Sequence, residues 1–119
     1  MKRFAANKVY LSENEVYTNS YVEIDEDGKF LKVAKLSDEQ SEICFTPFYN
    51  GVLLPFSKEE IQHSLATASD LQSLVSQLFK GEKIGSGTLI NEITLLEGGA
   101  LLTTGSVVGI VCTSLFSKK

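Results

Sequence analysis

The only histidine of the chain, His63, is the first candidate for acid–base or metal chemistry. A general base needs an orienting partner and a nucleophile within hydrogen-bond reach, and no residue near it in the sequence supplies either one. A zinc site needs three or four nitrogen or sulfur donors at regular spacing, which one histidine does not provide. We therefore interpret His63 as a surface histidine of a predicted helix.

A glycine-rich segment at 81–88, Gly-Glu-Lys-Ile-Gly-Ser-Gly-Thr, superficially suggests a phosphate-binding loop. Such a loop follows a strand and opens a helix, so that backbone amides and the helix dipole face the anion. Here the predicted order is reversed, from helix to strand. We expect a flexible connection.

Four acidic residues close together suggest a calcium site. The cluster lacks the alternating spacing and the later bidentate glutamate of a calcium loop. Its position before a glycine favours the solvated tip of a hairpin instead. The residues are Glu23, Asp25, Glu26 and Asp27.

The two cysteines, Cys44 and Cys112, each stand alone in an apolar, strand-like run. A disulfide or a reactive thiol is the functional alternative, but no Cys-x-x-Cys pair is present. We interpret both as reduced, buried thiols, because free cysteine is among the most buried residue types. The sequence thus predicts no catalytic, cofactor-binding or metal-binding residue, and no cofactor.

The elements that position these residues are mostly strands in the first half of the chain. Strands are predicted at 4–11, 17–24, 30–36, 43–48 and 52–54. Asp27-Gly28 predicts a hairpin turn, since glycine accepts positive φ, and Asn50-Gly51 predicts a second turn.

Two short helices, or one kinked helix, are predicted at 57–80. Ser57 and Glu60 predict a capping box at a helix start. The segment 69–72, Ser-Asp-Leu-Gln, has the same pattern and predicts a second helix start. An apolar stripe at helical spacing is expected to pack on the protein's own sheet. Its residues are Leu71, Leu74, Val75, Leu78 and Phe79.

Strands are predicted again at 89–96, 100–104 and 106–116. The run 107–112, Val-Val-Gly-Ile-Val-Cys, is apolar without alternation. This pattern favours a strand buried on both faces.

The composition describes one domain, 1–119. The 119 residues are 43% hydrophobic with a net charge of −4 and a pI of about 5.0. This balance lacks the basic footprint of a nucleic-acid binder. Because no signal peptide or apolar run of about 18 residues is present, we expect a cytoplasmic protein with no membrane partner.

The first 55 residues resemble the N-terminal segment of the amidohydrolase superfamily of metal-dependent hydrolases. The resemblance lies in Ala-Asn-Lys-Val-Tyr at 6–10, in Asp-Glu-Asp-Gly-Lys-Phe-Leu-Lys-Val at 25–33, and in Phe-Tyr-Asn-Gly-Val-Leu-Leu-Pro at 48–55. The segment 93–98, Ile-Thr-Leu-Leu-Glu-Gly, is weakly similar to the C-terminal strands of the family's small β-sandwich.

The sequence departs from the family after Pro55, where the family has glycine and then a His-x-His metal pair. Here 56–60 is Phe-Ser-Lys-Glu-Glu, and no paired histidine occurs. A (β/α)₈ barrel also needs about 250 residues. The resemblance therefore implies the composite β-sandwich alone, without barrel, metal or active site, and no functional residue of the family carries over.

These inferences predict a mainly β, α+β fold: a β-sandwich of about eight strands from N- and C-terminal segments, with one or two covering helices at 57–80. We expect a non-catalytic binding or assembly domain, a homo-oligomer, with any other protein partner unknown. A second copy is the simplest cover for the run 107–112. The alternative is a small enzyme or small-ligand-binding protein with an unrecognised pocket.

Overall fold

The computed structural model describes residues 1–38 and 46–118, and within them the fold is mainly β, as predicted. Cys44 lies outside the described residues. In chain order the elements are β1 Lys2–Ser12, β2 Glu15–Ile24, β3 Phe30–Lys35, a 3₁₀ turn Leu36–Asp38, β4 Phe48–Leu54, α1 Lys58–Leu65, α2 Leu71–Phe79, β5 Glu92–Glu97, α3 Leu101–Thr104 and β6 Val111–Ser117.

One mixed sheet joins the N- and C-terminal segments, as the sequence predicts. Its strand order is β3-β2-β1-β4-β5-β6 within the described residues. β1 and β4 run parallel, and the other neighbouring pairs are antiparallel. Leu54 of β4 pairs directly with Thr94 of β5, so the chain leaves and re-enters the sheet at adjacent points.

The sheet curls over itself, so one sheet of six strands produces the layered packing expected of a sandwich. Phe4 of β1 contacts Phe116 of β6, with ring centroids 6.3 Å apart, although two strands separate them in the sheet. The β2–β3 turn closes onto the segment before β5, where the Phe30 N–H donates to the Thr88 carbonyl at 2.8 Å. The curl thereby encloses a core on the concave face.

Asn19 interrupts the extended backbone of β2, with φ at +47°. Asparagine tolerates this left-handed conformation better than most residues. In β1, opposite this region, the side chains that enter the concave core change from even to odd positions. Phe4 and Ala6 enter the concave core before this change, and Val9 and Leu11 enter it after the change.

The helices cover the opposite face of the sheet. The capping box predicted for α1 is present, whereas α2 is capped by Asp70 and not by Ser69, at which the second predicted capping box would begin. Ser57 and Glu60 form the capping box of α1, and the Asp70 carboxylate accepts from the Ser73 N–H at 2.8 Å to cap α2. The predicted stripe of α2 packs on this sheet, with four of its residues buried and Leu78 partly buried. No helix in the described part of the chain has the length and hydropathy to cross a bilayer.

Three local predictions are wrong. Residues 107–112 do not form a strand buried on both faces: Val108 is 86% exposed, and β6 begins only at Val111, at the edge of the sheet. Gly109, with φ +72°, interrupts the extended chain. The segment 100–104 contains helix α3, which buries Leu101 and ends at Gly105 in the left-handed region. Asn50-Gly51 lies within β4 and does not form a turn.

Candidate functional site

His63 lies in the last turn of α1, beside an open groove of about 380 Å³ between α1 and α2. Phe56 and Phe79 meet edge to face at the groove, with ring centroids 4.8 Å apart. The groove is lined by Phe56, Glu60, His63, Ser64, Gln77, Leu78, Phe79, Lys80 and Glu82.

Within the described residues, no hydrogen bond joins Glu60 to His63, the acid–base candidates of this groove. The Glu60 carboxylate accepts from the Ser57 N–H at 3.1 Å, so it serves the start of α1. The exposed His63 side chain makes no hydrogen bond within the described residues. Across 1–38 and 46–118, no cluster of histidine, cysteine, aspartate and glutamate is suited to hold a metal ion. The groove therefore contains a histidine, His63, that no hydrogen bond orients within the described residues.

The glycine-rich segment 81–88 connects α2 to the sheet, and its amides are used internally. The Ile84 N–H donates to the Leu11 carbonyl at 2.7 Å, and the Gly87 N–H donates to the Phe30 carbonyl at 2.8 Å. The Gly85 N–H donates to the Thr88 hydroxyl at 3.0 Å. These amides are not available to surround a phosphate, so the segment is a structural connection.

The acidic residues of the β2–β3 hairpin point to separate partners. Glu23 is buried and forms an ion pair with Arg3 at 2.8 Å. Asp25 accepts from the Lys29 and Asp27 N–H groups within its own turn, and the Lys29 bond is the main reason that the pKa of this carboxyl lies below its usual value. This geometry fits a hairpin turn and not a cation site.

Cys112 is a free thiol, buried on the helix-covered face of the sheet. Desolvation by burial raises the pKa of this thiol, and the nearby positive charge of Lys58 offsets part of the rise. A buried thiol with a raised pKa is a poor nucleophile, which agrees with a packing role.

The outer side of β6 lies at the surface, although the apolar run at its start predicts a buried strand. We call the outer side of Val111–Ser117, together with the preceding Val108, the β6 edge. Val108 is 86% and Val111 59% exposed. Residues 106–117 contain no charged side chain, whereas the opposite edge strand, β3, carries Lys32 and Lys35.

The backbone of the β6 edge is unpaired within the described residues. β6 pairs with β5 on one side, and no other strand lies beyond it in the sheet order. Sheet edges are usually protected by charge, proline or a covering segment, because unpaired N–H and C=O groups invite another strand. The absence of charged residues over 106–117 is the sequence feature that predicts this unprotected edge.

Comparison with known proteins gives one weak structural likeness. No family model and no curated protein matches the chain. Among solved structures, Helicobacter pylori aminofutalosine deaminase in complex with methylthio-coformycin is similar, with a TM-score of 0.37 and 18% identity. The alignment covers 67% of this chain and 22% of that chain. The chain spans about a fifth of the length of that enzyme, so the likeness is partial. A likeness at this level does not assign this chain to the family of that enzyme.

Proposed function

We propose that this chain is a non-catalytic assembly domain that forms a dimer through the β6 edge. The observation that carries the proposal is an edge strand that is uncharged over 106–117, with Val111 exposed and with one backbone side unpaired in the part of the chain that the structure describes. Addition of a strand at such an edge uses main-chain hydrogen bonds for affinity and side chains for specificity.

A second copy of the chain fits this edge better than the opposite edge. Two copies of β6 that meet antiparallel about a two-fold axis place each residue opposite residues of the same strand. Because 106–117 is uncharged, no like charges oppose each other across that axis. Two copies of β3 would bring lysines together. A seven-residue strand buries a modest area, so we expect a dimer with micromolar affinity.

A lysine in the middle of β6 tests the proposal. Thr113→Lys places a charge at an exposed position of the edge strand, and Thr18→Lys makes the same change at an exposed position of β2. Light scattering coupled to size exclusion, from 10 to 500 μM, is expected to show a dimer for the wild type and for Thr18→Lys. Thr113→Lys is expected to be a monomer of 13 kDa.

Three outcomes contradict the dimer. The first is a wild-type monomer across the whole range of concentrations. The second is a Thr113→Lys dimer as stable as the wild type. The third is a wild-type monomer that binds an added strand of another protein at β6, which would make the edge a site for a foreign partner.

We also propose that the chain corresponds to the β-sandwich part of an amidohydrolase-like protein, with α1 and α2 at the position of the barrel. The arrangement of β4 and β5 supports this, because they are adjacent in the sheet while residues 55–91 lie between them in sequence. The lack of a His-x-His pair supports a non-catalytic role. This correspondence concerns the origin of the domain, and the light-scattering test of the dimer does not depend on it.

A further inference from the structure

Tyr10 has a buried ring and a hydroxyl without a protein partner. The residue is 7% exposed, and its ring belongs to the core beneath the helices. Within the described residues its hydroxyl makes no hydrogen bond, yet no sealed side-chain oxygen or nitrogen there lacks a partner. The hydroxyl therefore reaches solvent. A phenol whose ring is buried and whose hydroxyl is open to solvent without a protein partner is free to donate to a ligand.

Tyr10 lines a polar depression of about 270 Å³ where β1 meets the start of α2 and the end of α3. We call this depression the Tyr10 pocket. Lys8 lies two residues earlier in β1 and also lines it. Alternate residues of a strand face the same side, so the ammonium and the phenol approach the pocket together. Lys8 is half-buried and has no ion pair within the described residues.

The opposite wall of the Tyr10 pocket supplies hydrogen-bond acceptors. The hydroxyls of Thr103 and Thr104 donate to the Ala100 carbonyl, at 3.3 and 3.1 Å, so their remaining lone pairs are free. The Asp70 carboxylate accepts from the Ser73 N–H at 2.8 Å, and a carboxylate has further acceptor positions. The pocket thus has donors on β1 and acceptors on the two helices.

We propose that the Tyr10 pocket binds a small carboxylate that carries a hydroxyl or amino group, such as a hydroxy acid or an amino acid. Lys8 and the Tyr10 hydroxyl donate to the carboxylate of the ligand, and the wall formed by Asp70 and Thr104 accepts from its donor group. The volume suits a compound of few atoms, since drug-sized ligands occupy larger pockets. The ordinary pKa of tyrosine, 10.0, already keeps this hydroxyl a donor at neutral pH, and burial raises the pKa of Tyr10 further.

Amide chemical shifts in ¹H–¹⁵N spectra test the proposal, with malate and glycine as probes and with acetate, glycerol and inorganic phosphate as comparisons. Malate or glycine is expected to shift the amides of 8–11, 71–73 and 103–105 in a saturable way. Acetate lacks the donor group and glycerol lacks the charge, so each is expected to bind at least fivefold more weakly.

Two variants assign the contacts. Tyr10→Phe keeps the ring and removes the hydroxyl, and we expect about fivefold weaker binding, the usual effect of one hydrogen bond. Lys8→Met removes a charge-assisted contact and is expected to weaken binding more than tenfold. Lys35→Met, on exposed β3, is the control and should bind as the wild type does. The spectra also report whether each variant is folded.

The proposal is overturned if neither malate nor glycine gives saturable shifts up to 50 mM, or if the shifts lie elsewhere. It is also overturned if both Tyr10→Phe and Lys8→Met bind like the wild type. Equal affinity for inorganic phosphate would mean that the pocket recognises oxyanions in general, and the donor-bearing carboxylate would be the wrong class.

Discussion

Among the glycines of the described residues, Gly51 is the one at which the packing leaves the least room for a side chain. Its N–H donates to the Asn7 side-chain oxygen at 2.8 Å, and the β1–β4 register shifts beside it. A Cβ at this position would overlap the Leu96 carbonyl oxygen and would lie 2.9 Å from a methyl group of Leu95. The glycine is therefore required where β4 bulges between its two neighbours.

We expect Gly51→Ala to lower the free energy of unfolding by about 2 kcal/mol, because buried overlaps of this kind cost roughly 1–3 kcal/mol. Gly99→Ala is the matched control, since nothing lies within 4 Å of the added carbon. Urea denaturation measures both. Equal stability of the two variants would contradict the close packing at Gly51.

The Asn50-Gly51 pair also shows that a local sequence pattern does not predict contacts with distant residues. The dipeptide is a strong turn signal, and the similar pair Asp27-Gly28 correctly predicts a turn, where Gly28 has φ +88°. At Gly51 the reason for glycine is the approach of Leu96, which is 45 positions away in the sequence. No local pattern contains that information.

Helix caps are the features of the elements that the sequence defines best. Ser57 accepts from the Glu60 N–H at 3.1 Å, and the Glu60 side chain accepts from the Ser57 N–H. Ser69, which precedes the Asp70 cap of α2, is exposed and makes no side-chain hydrogen bond within the described residues. The two serines therefore differ in role although both stand just before a helix.

We expect Ser57→Ala to destabilise the protein by about 1 kcal/mol, the typical effect of losing an N-cap. Ser69→Ala should change stability by less than half of that, because no cap is lost. Thermal unfolding followed by circular dichroism gives both values. A larger effect at Ser69 than at Ser57 would show that the assignment of the caps is wrong.

The last two elements were harder to predict because their sequences are short and apolar. Residues 100–104, Ala-Leu-Leu-Thr-Thr, fit a strand or a helix, and burial of Leu101 under the helices decides for α3. The run 107–112 is apolar, yet Val108, Gly109 and Val111 are exposed. Periodicity reports burial on a face, but it does not report whether a strand has a neighbour on both sides.

At the scale of the whole molecule, two buried groups couple stability to alkaline pH. Burial raises the pKa of Tyr10 and of Cys112 in the folded protein. Below the ordinary pKa of each group both states are protonated, so this stabilisation is complete. Above it, the unfolded chain ionises first, and the stabilisation is lost as pH rises toward the folded value.

We therefore expect the free energy of unfolding to fall as pH increases above about 9, the ordinary pKa of the thiol, and further above 10, where free tyrosine ionises. Urea denaturation at pH 7.5, 9 and 10.5 measures the decline. Tyr10→Phe should make the curve flatter between the last two points. An unchanged slope in that variant would mean that Tyr10 does not contribute.

The adjacency of Leu54 and Thr94 has a consequence for how this domain tolerates changes in length. Because the two residues pair across β4 and β5, everything between them is an excursion whose two ends meet at one place in the sheet. A segment whose ends lie close together could replace the two helices here without altering the strand order. Residues 84–90 would have to stay, because their backbone bonds to Leu11, Gly28 and Phe30. The restriction is chemical: Ile61, Leu74 and Phe79 now shield one face of the sheet, so a replacement must bring its own apolar cover. The sheet can therefore accept an inserted segment between β4 and β5, and α1 and α2 are the segment found there.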